Sequence, residues 1–262
     1  MLIDSHCHLD FPELTSDESG VLARARTAGV AGMLTIGTRL DQFERVRAIA
    51  ERHEHVWCSV GVHPHEAKEE GQRTPDRLIE ATHHPKVVGI GETGLDFYYE
   101  HSPRDEQAES FRAHIAASRQ TGLPLIVHTR NADAETGDIL EEEHGKGAFP
   151  GLIHCFSSGR AVAERALALG LYISISGIVT FKAAEELRAI VRDVPLDRLL
   201  VETDAPYLAP IPKRGKTNEP AFVAHTAAKV AELKGVSLAE LEAATTDNFF
   251  RLFTKAERSR CA

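Results

Sequence analysis

Cysteine is scarce in this chain: there are four among 262 residues, at positions 7, 58, 155 and 261, and none forms a CxxC pair. That spacing excludes a disulfide-stapled scaffold and a thiolate zinc site. Cys7, Cys58 and Cys155 sit instead in strand-like runs, where a small buried side chain is expected. No apolar run approaches the roughly 20 residues of a membrane span, so no membrane partner is expected. A polar segment, Asp4 to His8, directly follows Leu2 and Ile3, which argues against a secretory leader and for a cytoplasmic protein. Basic residues are in deficit, with 30 Lys and Arg against 39 Asp and Glu and a formal net charge of −9. A broadly basic surface that coats nucleic acid is thereby excluded. A nuclease is not, because bound dications and a few local cations can neutralise phosphate where the chemistry occurs. Internal repeats and low-complexity segments are also absent.

What is present is the composition of an ordinary globular protein, 42% hydrophobic and 26% charged, long enough to bury a large core. Its length suits one α/β barrel, so residues 1–262 are read as a single domain. Short β-rich runs fall near Leu2 to His8, Gly32 to Gly37, Val56 to His63, Val87 to Glu92, Leu125 to His128, Gly151 to His154, Tyr172 to Ser176 and Leu199 to Asp204. Their C-terminal ends recur about every 28 residues, close to the length of one βα unit. Amphipathic stretches fill the gaps: Glu18 to Ala28, Asp41 to Arg52, Pro75 to Thr82, Asp105 to Thr121, Ala132 to His144, Arg160 to Leu169 and Ala183 to Val191. Eight strands alternating with helices predict a (β/α)8 TIM barrel. Gly29, Gly122 and Gly170 stand where helices should stop, and Asp41 stands where it could cap the helix beginning at Gln42. A loop with Pro206, Pro210, Pro212 and Pro220 then leads to extra C-terminal helices near Ala221 to Leu233 and Leu238 to Thr246. The charged tail is expected to fray after Phe253.

Barrel enzymes hold their chemistry at the C-terminal ends of the strands. The polar residues there are His6 and His8 on strand one, Glu92 on strand four, His128 on strand five, His154 on strand six and Asp204 on strand eight. A strand's period of two puts Asp4, His6 and His8 on one face and Cys7 on the other. Holding six such groups near a barrel interior is costly without a partner, and divalent cations satisfy all six. Four imidazoles and two carboxylates are too many for one catalytic zinc. Two metals about 4 Å apart, bridged by a carboxylate and a solvent oxygen, fit the count. A second HxH, His53 and His55, lies between a helix and the start of strand three, at the opposite face, and is assigned a surface or capping role with His83 and His84.

Several segments carry a family resemblance: DSHCHLD at 4–10, GVHPH at 61–65, GIGETGLDFY at 89–98, IVHTR at 126–130, HCFSSG at 154–159 and ETDAPYLAP at 202–210. With PKRGKTNEP at 212–220 and TTDNFFRLF at 245–253, they closely resemble the TatD family of metal-dependent hydrolases over nearly the whole chain. The resemblance implies an amidohydrolase-like barrel and a two-metal deoxyribonuclease acting 3′ to 5′ on single-stranded DNA. It implies that His6, His8 and Asp204 bind one metal, His128 and His154 the other, and that Glu92 bridges them. Ser158 is a departure, since many relatives carry HCFSG without the extra residue. In the resulting mechanism an activated water attacks phosphorus in line, with Asp204 as general base. The four imidazoles favour Zn²⁺, Mn²⁺, Fe²⁺ or Ni²⁺ over Mg²⁺, although weakly occupied sites can turn over with added Mg²⁺.

Around these six, Glu202, two residues before Asp204 and so on the same face of strand eight, is a candidate for a third metal or for ordering water, and Asp4 for a ligand or a supporting partner. His65, Asp96 and Tyr98 follow strands three and four and are candidates for contacts to substrate phosphate or base. Lys213 and Arg214 are candidates for phosphate. The expected partner is DNA, with RNA left open, and a monomer or weak oligomer is expected. Two rival functions remain at this stage: an amide or ester hydrolase, including an aminoacyl-tRNA deacylase, and a non-catalytic metal-binding barrel.

Overall fold

The computed structural model describes residues 1–69 and 75–258; Cys261 and the end of the charged tail lie outside them. Eight strands run β1 Leu2–Cys7, β2 Val30–Thr35, β3 Val56–Val60, β4 Val87–Asp96, β5 Leu125–Arg130, β6 Gly151–Ile153, β7 Tyr172–Ile175 and β8 Leu199–Val201. They pair in parallel in the order of the sequence. Beyond β8 the chain returns to β1 through a bridge from Cys7 to Ala205, with Asp204 N–H donating to the His6 carbonyl at 2.9 Å. The result is the predicted TIM barrel, nearly closed.

Parallel strands buried on both faces need apolar side chains on both, which is why these runs are Val, Ile and Leu-rich rather than alternating. Each strand contributes one residue to an inner cluster: Ile3, Leu34, Trp57, Val88, Ile126, Leu152, Tyr172 and Leu200. Phe249, Leu252 and Phe253 of the last helix, Leu238–Leu252, and its end join this cluster and close the N-terminal end of the barrel. Alternate strand residues such as Leu2, Met33, Val56, Val87 and Leu125 face the surrounding helices.

Gly29, Gly122 and Gly170 take positive φ of 83°, 71° and 81°, as the stop signals predict. Three expectations need correction. Asp41 is not a cap: the helix starts at Phe43 behind Gln42 with no side-chain cap, and the Asp41 carboxylate accepts from Arg39. The last helix runs six residues past Thr246, and the tail does not fray at Phe253. Phe253 is buried, Ala256 is 7% exposed, and Lys255 Nζ donates to the carbonyls of Thr82 and His84 at 2.5 and 2.7 Å. Finally, β3 and β8 end at Val60 and Val201, so His63, Glu202 and Asp204 stand on loops, while β4 continues four residues past Glu92.

Candidate metal centre

Glu92 occupies the middle of the C-terminal mouth, 3% exposed. Two glycines place it there. Gly91 has φ 130°, and a Cβ on it would lie 2.6 Å from the Ile126 carbonyl oxygen; Gly94 has φ 137°, and its Cβ would lie 2.1 Å from the His128 carbonyl oxygen. Only a chain without Cβ at both positions lets β4 press this close to β5 and carry Glu92 to His128.

The Glu92 carboxylate has two sides. Oε2 faces β1, 3.4 Å from His6 Nε2 and 3.9 Å from His8 Nε2. Oε1 faces β5 and β6, 2.9 Å from His128 Nδ1 and 2.7 Å from His154 Nε2. Asp204 completes the first side, with Oδ1 3.6 Å from His6 Nε2 and 3.4 Å from His8 Nε2. The imidazoles of His6 and His154 stack with centroids 3.9 Å apart, joining the two sides. All six residues that the sequence assigned to the metals therefore meet at one point.

The simple face argument for β1 does not hold. Ile3 belongs to the inner cluster and Cys7 to the outer one, and a register shift between Asp4 and Cys7 breaks the alternation between them. Asp4 is turned to the chain beyond β8, accepting from Thr203 N–H at 2.8 Å and Thr203 Oγ1 at 2.5 Å. Burial pushes its carboxyl up to about 8 despite those bonds. Glu202 and Asp204 do not share a strand face either, because β8 has ended and Asp204 takes a left-handed φ of 57°. Glu202 accepts from the Cys155 amide at 2.7 Å and lies 3.3 Å from His154 Nδ1, behind that imidazole.

Burial opposes charge throughout the cluster, but proximity overrides it at several groups. Burial would raise Glu92, yet the charges of His154 and His63 and hydrogen bonds from His128 and His154 hold it well below the usual carboxylate range. His154 is held well above the ordinary imidazole value, because Glu92 and Glu202 overcome its burial. His6 and His63 are pulled down by burial.

His63, which ends the GVH segment, was not singled out by the sequence argument. Its Nε2 lies 3.5 Å from Glu92 Oε1, and its ring centroid is 4.8 Å from that of His128. The usable signal was its position at the predicted end of strand three. Behind it, the buried His114 accepts the Val62 amide at 2.9 Å and so fixes the loop. Asp96 is also internal: its carboxylate, 1% exposed, accepts from the amides of Tyr98 and Tyr99 and stands 2.9 Å from His65 Nε2 and 3.4 Å from His128 Nε2. Those contacts use it to orient imidazoles, not to meet phosphate. Lys213 and Arg214 lie over the rings of Phe222 and Phe181, and no contact among the described residues ties them to Glu92. His53 pairs with Glu18, His84 pairs with Glu51, and His83 stays within its own turn, all away from this cluster.

Three groups among the described residues can hold a metal ion: His6, His8 and Glu92; His63, Glu92 and His128; and His6, His154 and Glu202. His6 Nε2, His128 Nε2 and Glu202 Oε2 are buried without hydrogen-bond partners. Such atoms are costly unless a further ligand takes them, and imidazole with carboxylate is a donor set for divalent first-row cations. The residues fit the group.

The family model for TatD-related DNases matches residues 3–254. The chain belongs to that family. TatD-family relatives align end to end with it. An uncharacterized metal-dependent hydrolase, YcfH, of Escherichia coli (strain K12) is 47% identical over 255 residues, covering 96% of this chain and 95% of the relative. A 3′-5′ ssDNA/RNA exonuclease TatD of Enterobacter lignolyticus is 37% identical, covering 96% and 98%. Among solved structures, YJJV, a TatD homolog from Escherichia coli k12, superimposes with a TM-score of 0.90 at 30% identity, covering 97% and 98%. This TatD-family protein is accordingly a metal-dependent hydrolase with the family's barrel. None of its helices is long and apolar enough to cross a membrane, among the described residues.

Proposed function

We propose that the enzyme removes nucleotides from the 3′ end of single-stranded DNA by hydrolysing phosphodiester bonds. In this reading His6, His8 and Asp204 would hold one divalent cation and His128 and His154 a second, with Glu92 contributing to both. The observation that carries it is the division of Glu92, with one oxygen toward His6 and His8 and the other toward His128 and His154. When bound, the cations would neutralise charge on the phosphoryl oxygens and make a water acidic enough to lose its proton near neutral pH.

The protein's own groups do the rest. Asp204 takes the proton at Oδ1: its carboxylate is 14% exposed at the mouth. Burial pushes its pKa up, but the hydrogen bond from His8 and the charges of His6 and His8 outweigh that and hold it below the ordinary value. It is therefore a base at neutral pH. Glu202 accepts from His154 Nδ1, which leaves His154 Nε2 as the donor on the Glu92 side. Asp96 Oδ2 stands 3.4 Å from His128 Nε2, and Nδ1 is the nitrogen turned toward Glu92. The name of the Enterobacter relative, which covers ssDNA and RNA, supports the substrate class.

The test is release of 5′-mononucleotides from single-stranded DNA and RNA carrying a 3′ label, with and without chelator. Activity should vanish on chelation, return with Mn²⁺, Zn²⁺ or Mg²⁺, and be lost in Glu92→Ala. Turnover by metal-stripped protein, or release of amino acid from an aminoacyl ester without nuclease activity, would sink the proposal.

A further inference from the structure

Two exposed tyrosines stand just past the end of β4. Tyr98 is 57% and Tyr99 50% exposed, and Tyr207, at 53%, is the other tyrosine of the described residues as open as these. The rings cross at 90° with centroids 4.8 Å apart. Over both lies the guanidinium of Arg130, from the end of β5, 4.1 Å from the Tyr98 centroid and 4.8 Å from that of Tyr99. Among the described residues no carboxylate pairs with Arg130, although acids outnumber bases in the chain by 39 to 30. Arg130 also edges a cleft of about 490 Å³ whose polar lining includes Asn131, Ser157 and Ser158 together with the acids Asp133 and Glu135.

This aromatic group is tied to the Glu92 centre. Asp96 Oδ1 accepts the amides of Tyr98 and Tyr99, each at 3.0 Å, while Oδ2 faces His65 and His128. A row of rings also runs outward from His128 through His63 and His65 to Tyr99, with centroid spacings of 4.8, 4.3 and 5.4 Å. One buried carboxylate thus fixes both a histidine of the centre and the backbone that displays the tyrosines.

We propose that Tyr98, Tyr99 and Arg130 form a stacking platform for an unpaired nucleobase of the strand whose phosphate lies at Glu92; this rests on the nuclease reading above. Exposed tyrosines with a guanidinium laid on them and no carboxylate on that guanidinium suit any base, since every base has a π-face and the cation also attracts the neighbouring phosphate. A base inside a duplex keeps its face against its neighbours and cannot use the platform. Preference for single strands then follows from the platform, not from the metal site. The sequence singled out Tyr98 but neither Tyr99 nor Arg130, although Arg130 ends the IVHTR segment, because the stack forms only when the loop after β4 meets the end of β5.

The test uses the metal-loaded enzyme and two decamers, one ordinary and one with tetrahydrofuran abasic residues at its three 3′ positions. Binding is read by fluorescence anisotropy and turnover by steady-state kinetics. The wild type should bind the ordinary decamer about tenfold more tightly than the abasic one, the weight of a base–aromatic stack. Tyr98→Ala/Tyr99→Ala should erase that difference, raising KM on the ordinary decamer rather than lowering kcat, and Tyr98→Phe/Tyr99→Phe should restore it. Equal wild-type binding of the two decamers overturns the proposal, as does an alanine variant that weakens both decamers alike. Discrimination in binding without any cleavage would leave the platform standing and remove the nuclease reading instead.

Discussion

At the N-terminal end of the strands the buried Lys86 donates to the carbonyls of His53, Glu54 and Val56 at 2.7, 2.9 and 2.9 Å, and Lys255 caps two more. At the C-terminal end the buried Nε2 atoms of His6 and His128 find no hydrogen-bond partner, and four carboxylates, Glu92, Asp96, Glu202 and Asp204, crowd the same mouth. The N-terminal end carries the HxH pair His53 with His55, the C-terminal end His6 with His8 and His63 with His65, and only the latter two converge on the acids Glu92, Asp96 and Asp204. An unpartnered buried polar atom costs about 1–3 kcal/mol. One end of the barrel is therefore finished by the protein itself, and the other is built to be completed by a ligand. The lesson is that residue type and spacing do not identify a metal site; the end of the strand on which they fall does.

The comparison breaks most sharply at Glu92. Glu92→Gln keeps the shape but removes the carboxylate charge between the two sets of histidines, and kcat for phosphodiester cleavage should fall by about 10³-fold, some 4 kcal/mol of transition-state stabilisation. Far-UV circular dichroism should show the barrel intact; a loss under tenfold would contradict the assignment of this end. The opposite end should answer in stability alone. Phe249→Ala opens the plug packed on Trp57 and Phe253 and should cost about 3–5 kcal/mol in urea unfolding. Lys86→Met leaves three carbonyls short of a donor and should cost about 2 kcal/mol. In both variants the folded fraction should keep the wild-type kcat, and a selective loss of kcat would show that the two ends are coupled.

The difference between the ends also marks how far the sequence could be read. Strand-by-strand runs and their spacing were enough for the barrel, because parallel strands buried on both faces write themselves as apolar stretches. The six residues at the mouth followed, since strand ends are the one place where such a barrel gathers polar groups. What stayed hidden depends on contacts between loops. Asp96 reads as a phosphate contact until its oxygens are found on His65, His128 and two backbone amides. His63 lay in a quoted motif, but its approach to Glu92 depends on how the chain turns after Val60. Strand parity put Glu202 on the face of Asp204, but β8 stops at Val201 and Glu202 turns to His154 Nδ1 and the Cys155 amide instead. The tail was read as frayed from its charge, although Phe253 and Lys255 bind it to the base of the barrel.

The smallest effect belongs to the second HxH, and it separates a structural histidine from a functional one. His53 Nε2 lies 2.7 Å from Glu18 Oε1, and Arg52 holds the other oxygen of the same carboxylate. Burial pushes the Glu18 carboxyl up, but the hydrogen bonds from Arg52 and His53 outweigh it and hold its pKa below the ordinary value. A carboxyl depressed in the folded state stabilises the fold fully above its unfolded pKa, about 4.3, and loses that contribution as the pH falls through the lower folded value. His53→Ala should therefore cost about 0.5–1 kcal/mol at pH 7. The cost should shrink toward zero on acidification below about pH 4. Nuclease activity per folded molecule should match the wild type at neutral pH. Urea unfolding of both proteins from about pH 4 downward, where the Glu18 carboxylate takes up its proton, checks the sign, since a penalty that grows over that range would mean that His53 acts on something other than the Glu18 carboxylate.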